Sequence, residues 1–313
     1  MKRTLAPSHR SRPTRLFDRA GRSTGAISVR QGPHPGQRGV TIVELMVALT
    51  IIAILLSLLI PATRLIRQSA AKTRELSAAR QLMVGYLAYA TDNRGAVMPG
   101  YYFAGGHTLP AEDERGTDIA DLAVPVAAAR YPWRLAPYLN YDFKGLYLDE
   151  RALSAIQNDA TYHYAISLYP SFGINGVFVG GDSDDGFAFS PLYENLFGRF
   201  YVRSISQPKR PTDLIVFCSA RSDDEFAPAN LSLIEGHYKV LPPYLTERKW
   251  MRNYEPDSNA ASDFGFVSLR DFRAAMIGYF DGHTGQLEEG QLQDMRHWAD
   301  QADRPDWTLI PKY

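Results

Sequence analysis

The segment best suited to holding an ion is the acidic turn at residues 181–186, with the sequence GDSDDG. Its three carboxylates, Asp182, Asp184 and Asp185, are hard oxygen donors of the kind that calcium prefers. The glycine comes one place too early for an EF-hand loop, and a solvated acidic turn accounts for the same residues. Two hypotheses therefore stand for this turn, a calcium site and an acidic surface loop.

No other segment combines residues at a spacing that catalysis requires. The seven histidines are scattered, and none pairs with another at metal-ligand spacing. The serines lack the Gly-x-Ser-x-Gly context, and the chain has no phosphate loop or dinucleotide fingerprint. The single cysteine, Cys218, stands in an apolar run and predicts a small buried side chain. The sequence therefore predicts a non-catalytic protein with no cofactor, calcium excepted.

Glu44 is a carboxylate inside an apolar segment. From residue 40 to 60, 17 of the 21 residues are apolar, and a helix of that length spans roughly 30 Å, the thickness of a bilayer's hydrocarbon core. A buried core helix would show a polar stripe, which this segment lacks. A carboxylate inside a membrane costs a few kcal/mol unless it is paired. Residues 40–60 therefore predict a transmembrane helix in which Glu44 needs a partner.

The charge of the chain is unevenly distributed. Residues 1–39 carry nine basic residues and one acidic residue, which leaves 25 basic and 33 acidic residues, a net charge of −8, in the remainder. Nothing in this balance indicates nucleic-acid binding. A basic flank stays on the cytoplasmic side of an anchor, so the C-terminal part is expected outside. The composition of residues 1–39 indicates a disordered leader. A transit peptide is the rival interpretation, but the segment lacks the helical apolar period of one. A start codon assigned too far upstream would also explain why the leader is long.

A single long helix is predicted over residues 42–93, about 75 Å long and kinked near Pro61, because proline removes a backbone hydrogen bond. Its half at residues 40–60 is the membrane segment, and residues 61–94 form the soluble half. The soluble half has one apolar face, and residues 93–95 provide a helix stop. That face consists of Leu76, Ala79, Met83, Tyr86 and Ala90.

Residues 95–313 predict one globular α+β head with a mainly antiparallel sheet. Apolar runs at 212–218 and 274–280 predict central strands, and residues 171–179 a strand or hairpin. Residues 281–286 predict a tight hairpin or a loop, because Asp-Gly favours positive φ. Short helices are expected at 131–139 and 152–157, and a longer one at 288–301.

Residues 39–45, GVTIVEL, resemble the prepilin signal of type IV pilins and type II secretion pseudopilins. The resemblance implies that a prepilin peptidase cuts after Gly39 on the cytoplasmic face and that the new N-terminal amine, at Val40, is methylated. It also implies that Glu44 pairs with the N-terminal amine of a neighbouring subunit during assembly. Val40 departs from the phenylalanine usual there, whereas Pro61 matches the family.

Segments of the head are similar to a subgroup of large bacterial pilin-like proteins. They are the Trp-Arg-Leu run that begins at Trp133, the sequence SFGIN at residues 171–175, the Asp-Gly-His turn at residues 281–283 and the Met-Arg-x-Trp run that ends at Trp298. The name of that family records a histidine set nine residues before Asp-Gly. Residues 269–280 contain no histidine, so the role of that histidine does not carry over.

These resemblances imply a pilin-like or pseudopilin-like structural subunit, with a long stalk helix packed on an α+β head. Its expected partners are the prepilin peptidase and methylase, the inner membrane and other pilin-like subunits. It would cross the inner membrane once, with the N-terminus in the cytoplasm and the head periplasmic or extracellular. The alternative is an independent single-span binding protein or enzyme that faces the periplasm and keeps its leader.

Overall fold

The computed structural model describes six stretches of the chain, which are residues 39–122, 125–157, 161–223, 235–255, 259–270 and 273–312. The chain divides into two units, Met1–Ile60 and Pro61–Tyr313. The leader predicted at residues 1–39 lies outside the described residues, except for Gly39.

The longest element is helix α1, Ile42–Asp92. At its end the N–H of Gly95 donates to the carbonyl of Ala90 at 2.7 Å. Arg94 and Gly95 adopt φ values of 57° and 85°. This is the Schellman pattern, in which left-handed residues turn the chain away after the last helical turn. The predicted helix and its stop are confirmed, and the kink near Pro61 stays a prediction.

Within the second unit, one face of α1 is buried in the core. Ala79, Met83, Tyr86 and Ala90 are fully enclosed, and Leu76 is partly buried against them. These residues recur at steps of three or four, as a helix with one core-facing stripe requires. The apolar face predicted from the sequence is therefore confirmed.

The other elements of the described chain are short. The helices are α2 (Val126–Ala129), α3 (Tyr131–Leu135), α4 (Glu150–Gln157), α5 (Tyr162–Leu168), α6 (Pro191–Phe197) and α7 (Glu289–Leu292). Single 3-10 turns lie at Ile119–Asp121, Ala136–Leu139, Phe143–Gly145, Ala261–Phe264 and Met295–His297. The strands are β1 (Phe172–Ile174), β2 (Ile215–Ser219), β3 (Ala274–Tyr279) and β4 (Thr284–Glu288).

The four strands form one antiparallel sheet in the order β1-β2-β3-β4. Cys218 of β2 lies opposite Gly173 on one side and Ile277 on the other. Every residue of β2 and β3 is buried, as expected for central strands whose two faces are both covered. The α+β class and the antiparallel sheet are thus confirmed.

Each face of the sheet covers a hydrophobic core. On one face, Tyr86 of α1 packs edge-on against Phe217, with ring centroids 5.8 Å apart. The core on the other face contains Cys218, Ile277 and Trp298. Burial raises the pKa of the Cys218 thiol well above its ordinary value, so the prediction of a buried side chain without reactivity agrees with its surroundings.

Buried polar side chains connect segments that are distant in sequence. The side-chain amide of Asn175 donates to the carbonyls of Ile215, at 3.0 Å, and Trp298, at 2.9 Å. The guanidinium of Arg270 contacts Glu75 of α1 at 3.1 Å and donates to the carbonyl of Ser171 at 3.1 Å. The SFGIN and Met-Arg-x-Trp segments are therefore joined inside the fold, and α1 is tied to the start of β1.

The helix predicted over residues 288–301 is wrong. Residue 288 ends β4, and only the single turn of α7 and the 3-10 turn Met295–His297 are helical. The carboxylate of Asp294 accepts a hydrogen bond from the N–H of Arg296 at 2.9 Å, which starts the second turn separately. Local side-chain hydrogen bonds of this kind compete with a continuous helix.

Candidate functional site

Thr41 and Glu44 close the start of α1 through reciprocal hydrogen bonds. The backbone N–H of Thr41 donates to Oε2 of Glu44 at 2.9 Å, and the backbone N–H of Glu44 donates to Oγ1 of Thr41 at 3.2 Å. This capping box satisfies two N–H groups that the first helical turn leaves without partners. It also fixes the helix start at Ile42, directly beyond Gly39 and Val40. The sequence analysis missed this role of Glu44, although Thr-x-x-Glu before an apolar run is its signal.

Gly39 lies in open space. Among the described residues, no atom comes within 4 Å of the position that a Cβ would occupy. Nothing in the described chain therefore requires a glycine there. A requirement for glycine at this position would come from outside the described residues, for example from a protease that binds the segment.

The segment after Gly39 exposes its apolar side chains in all directions. Every large apolar side chain that the structure describes from residue 40 to 59 is at least half exposed, from Leu56 at 50% to Ile42 at 78%. Continuous exposed apolar surface of this kind marks a membrane or protein contact. Among the described residues, no helix is both long and apolar enough to cross a membrane. The transmembrane assignment of residues 40–60 stays a prediction.

A lysine neutralises part of the charge of the acidic turn at residues 181–186. The ammonium of Lys239, a side chain only 9% exposed, contacts the carboxylates of Asp184, at 3.4 Å, and Asp185. Oδ1 of Asp182 accepts the backbone N–H groups of both of those residues, at 2.7 and 3.0 Å. Lys239 thus takes the place of a bound cation beside Asp184 and Asp185.

This geometry gives the calcium hypothesis no support. In the described stretches, no group of three or more His, Cys, Asp or Glu side chains is arranged to hold a metal ion. Calcium at Asp182, Asp184 and Asp185 remains a prediction that only the sequence pattern favours.

Lys239 belongs to a cluster of buried ionisable groups that the sequence analysis missed. The guanidinium of Arg130 lies over the rings of Tyr164 and Tyr238, 4.6 and 4.9 Å from their centroids. The ring of His237 stacks on Phe266 at 4.0 Å, and neither ring nitrogen has a hydrogen-bond partner among the described residues. The four residues Arg130, Asp182, His237 and Lys239 are each less than 8% exposed.

Burial controls the protonation of this cluster. It raises the pKa of Asp182 to about 6, against the opposing effect of Lys239 and two backbone N–H groups. It lowers the pKa of His237 well below its ordinary value, and the charges of Lys239 and Arg130 act in the same direction. His237 is therefore neutral near pH 7, and its uncharged ring forms part of the core.

Two further histidines stabilise turns. His283 Nδ1 lies 2.6 Å from Oδ1 of Asp281, and the histidine ring stacks on Tyr279. Gly282, between them, has a φ of 92°, which explains Asp-Gly-His as the β3–β4 hairpin turn. His163 Nε2 lies 3.3 Å from Oδ2 of Asp113. Asp281 and Asp113 also accept backbone N–H groups of their own turns, so these contacts hold the two turns in place.

Comparison with known proteins finds one match, in the N-terminal segment. Residues 34–60 match the family model described as the prokaryotic N-terminal methylation motif. No curated protein and no solved structure matches the chain. The motif places Gly39, Val40 and Glu44 in the matched range. The prediction from residues 39–45 is thus confirmed: the chain carries a prokaryotic N-terminal methylation motif, the prepilin-type signal of type IV pilins and pseudopilins.

Proposed function

We propose that the chain is a pilin-like or pseudopilin-like structural subunit without catalysis of its own. A prepilin peptidase cuts it after Gly39, the amine of Val40 is methylated, and the product assembles with other pilin-like subunits into a pilus or a type II secretion pseudopilus. The observation that carries this proposal is the methylation motif at residues 34–60. Its scissile bond lies on an exposed segment directly before a helix, where a protease can reach it.

The same segment is the proposed membrane anchor. Residues 40–60 insert into the inner membrane, the basic leader stays in the cytoplasm, and the head faces the periplasm or the cell exterior. This part of the proposal is supported by the motif and by apolar side chains that the chain leaves exposed. An apolar environment would remove that surface from water at a gain of about 25 cal/mol per Å².

Glu44 has a proposed role in assembly. In the single subunit its carboxylate bonds to Thr41 and is otherwise exposed, so a neighbour can reach it. Between apolar helices a lone carboxylate is costly, whereas a carboxylate paired with an ammonium group is tolerated. The amine that cleavage creates at Val40 of a neighbouring subunit is such a group. The pairing would make wrong registers between subunits costly.

Intact mass of the full chain, purified from membranes of cells with an active prepilin peptidase, tests the proposal. The expected product begins at Val40 and carries one methyl group. Gly39→Leu should leave the precursor uncut, because the added side chain blocks the peptidase and not the fold. Gly290→Leu is a matched control, since Gly290 also has no atom within 4 Å of its Cβ position.

A wild-type chain that still begins at Met1 in those cells would refute the subunit proposal and favour an independent anchored protein. A reporter that is active only outside the cytoplasm, fused after Tyr313, should be active. Its inactivity on a stable fusion would refute the orientation.

A further inference from the structure

The part of α1 that follows residue 65 presents an exposed basic surface. Arg67, Lys72 and Arg74, here called the basic stretch, are all exposed. Arg67 and Arg74 lie on the same face of the helix, because seven residues make almost two turns. Arg74 pairs with Glu150 at 3.0 Å, and Lys72 donates to the side chain of Gln286. Arg67 makes no ion pair with any described residue. The stretch therefore carries positive charge that the subunit neutralises only in part.

An exposed acidic surface lies elsewhere on the head. Glu112, Glu114, Asp118 and Asp121, here called the acidic patch, are exposed and form no ion pair within the described residues. Arg115 is the one basic residue between positions 112 and 121. Glu112 and Asp118 lie directly opposite each other in an antiparallel bridge. Like charges in that arrangement repel, so a cation placed against them would relieve the repulsion.

The acidic patch borders a cavity that suits a basic side chain. Asp118 and Asp121 line a cavity of about 460 Å³ together with Phe103 and His107. Phe103 is 45% exposed and offers an aromatic face, to which an ammonium or guanidinium group is attracted. Carboxylates beside an aromatic ring recognise both the charge and the alkyl stem of arginine or lysine.

The two charged surfaces are too far apart to neutralise each other within one subunit. Glu112 lines a small cavity together with Tyr89 of α1, so the acidic patch lies near the C-terminal end of that helix. Arg67 precedes Tyr89 by 22 residues, which is about 33 Å along the helix axis. At physiological salt, charges are screened beyond about 8 Å. Each surface is therefore available to a second molecule.

We propose that the acidic patch of one subunit docks on the basic stretch of a second copy of this chain. The two surfaces are different and complementary, so the contact is heterologous, and such contacts build rings or open filaments. A parallel copy shifted by about 33 Å along α1 brings patch and stretch together. This inference rests on the proposed function, because it names the surfaces through which the heads of assembled subunits meet.

Cysteine crosslinking of the full-length chain in native membranes tests the docking. Ala71→Cys, between Arg67 and Arg74 on their face of the helix, and Ala120→Cys in the cavity are combined in one chain. Since the two positions are far apart in one subunit, a disulfide between them must join two copies. The native Cys218 is buried and stays out of the reaction. Oxidation should yield a ladder of oligomers that weakens as salt is raised.

Charge reversal provides the decisive comparison. Arg67→Glu with Arg74→Glu should lower the crosslinked yield at least fivefold, and Glu112→Lys with Asp118→Lys should do the same. All four substitutions together should restore the yield to within twofold. Arg199→Glu is the matched control, an exposed arginine outside both surfaces, and should change nothing.

Two results would overturn the docking proposal. One is a yield that reversal leaves unchanged, and the other is a yield that the fourfold variant does not restore. If the yield is unchanged while Arg67→Glu with Arg74→Glu weakens flotation with phosphatidylglycerol vesicles, the basic stretch binds lipid headgroups instead. The proposed function fails separately, if the wild-type chain is not cut after Gly39.

Discussion

The two parts of helix α1 contain similar residues in opposite surroundings. From residue 40 to 59 the described large apolar side chains are half or more exposed, whereas Leu82, Met83 and Tyr86 are fully enclosed. In the later part the apolar residues form one stripe, because only one face meets the core. In the earlier part they occupy every face. The apolar residues of the later part are thus placed to pack on the chain's own core. Those of the earlier part are placed for contact with something outside the chain.

The carboxylates of the two units differ in the same way. Glu44 is exposed and bonded only to Thr41, so its function depends on what approaches it. Asp182 is 1% exposed, and its Oδ2 has no hydrogen-bond partner in the described part of the chain. Substitution of Glu44 should therefore change assembly, and substitution of Asp182 should change the stability of the head.

The largest effect is expected at Glu44. Glutamine keeps the capping box, because its side-chain oxygen can accept the N–H of Thr41, but it removes the charge. Breaking a buried ion pair costs roughly 3–5 kcal/mol, so Glu44→Gln should be inserted and cut normally and yet fail to join wild-type oligomers. Crosslinking in membranes measures the yield.

Thr41→Ala is the control for Glu44, since it removes the cap and keeps the charge. A lost cap costs about 1 kcal/mol, so this variant should assemble far better than Glu44→Gln. Equal oligomer yields from wild type and Glu44→Gln would leave Glu44 with the capping role alone.

A matched pair of leucines in α1 gives the next largest effect. Leu82→Ala removes a fully buried side chain and should destabilise the head by about 3 kcal/mol. Leu49 is 57% exposed, and Leu49→Ala should change head unfolding by less than about 0.5 kcal/mol. Denaturant unfolding of the full chain in detergent, followed by tryptophan fluorescence, compares them. Equal losses of stability would contradict the different surroundings of these two leucines.

Local sequence patterns account for the parts of the fold that could be predicted. The helix Ile42–Asp92 has an apolar period and a Gly95 stop, and β2 and β3 are continuous apolar runs. Strand β4, Thr284–Glu288, was not predicted because its residues are mostly polar and its place is set by pairing with β3. The prediction of a helix at 288–301 is wrong because side-chain hydrogen bonds at Glu288 and Asp294 start two separate short turns.

The candidate sites show the same limit. The prepilin-type signal is contiguous, so residues 39–45 were sufficient to predict it. The buried cluster brings together Arg130, Asp182, His237 and Lys239, which stand as far as 109 positions apart in the sequence. No local pattern announces such a cluster, since its members meet only through tertiary packing. Lys239 beside Asp184 and Asp185 likewise became visible only in the fold.

A smaller effect is expected from the pH dependence of His237. The pKa of His237 is lower in the folded chain than in the unfolded chain, so the unfolded chain binds the proton more tightly. The free energy of unfolding of the head therefore decreases as the pH falls below about 6.5. At 1.36 kcal/mol per pH unit, the loss by pH 5 is at most about 2 kcal/mol. His237→Phe, which keeps a ring on Phe266, should abolish this loss. His107→Gln, at an exposed histidine, should retain it in pH-dependent thermal unfolding.

Asp182 should give the smallest effect, with the opposite sign. Its folded pKa is raised to about 6, so its contribution to stability is complete below the unfolded value near 4 and is lost as pH rises through 6. When the pH is lowered from 7 to 5, the free energy of unfolding therefore rises by about 1 kcal/mol. In the wild type, the loss of stability at His237 masks this rise.

In a His237→Phe background the rise should be visible, and adding Asp182→Asn should remove it. Asparagine keeps the Oδ1 acceptor for the N–H groups of Asp184 and Asp185, so the turn is preserved while the charge is lost. A difference between the two variants that does not change with pH would show that Asp182 does not titrate in this range.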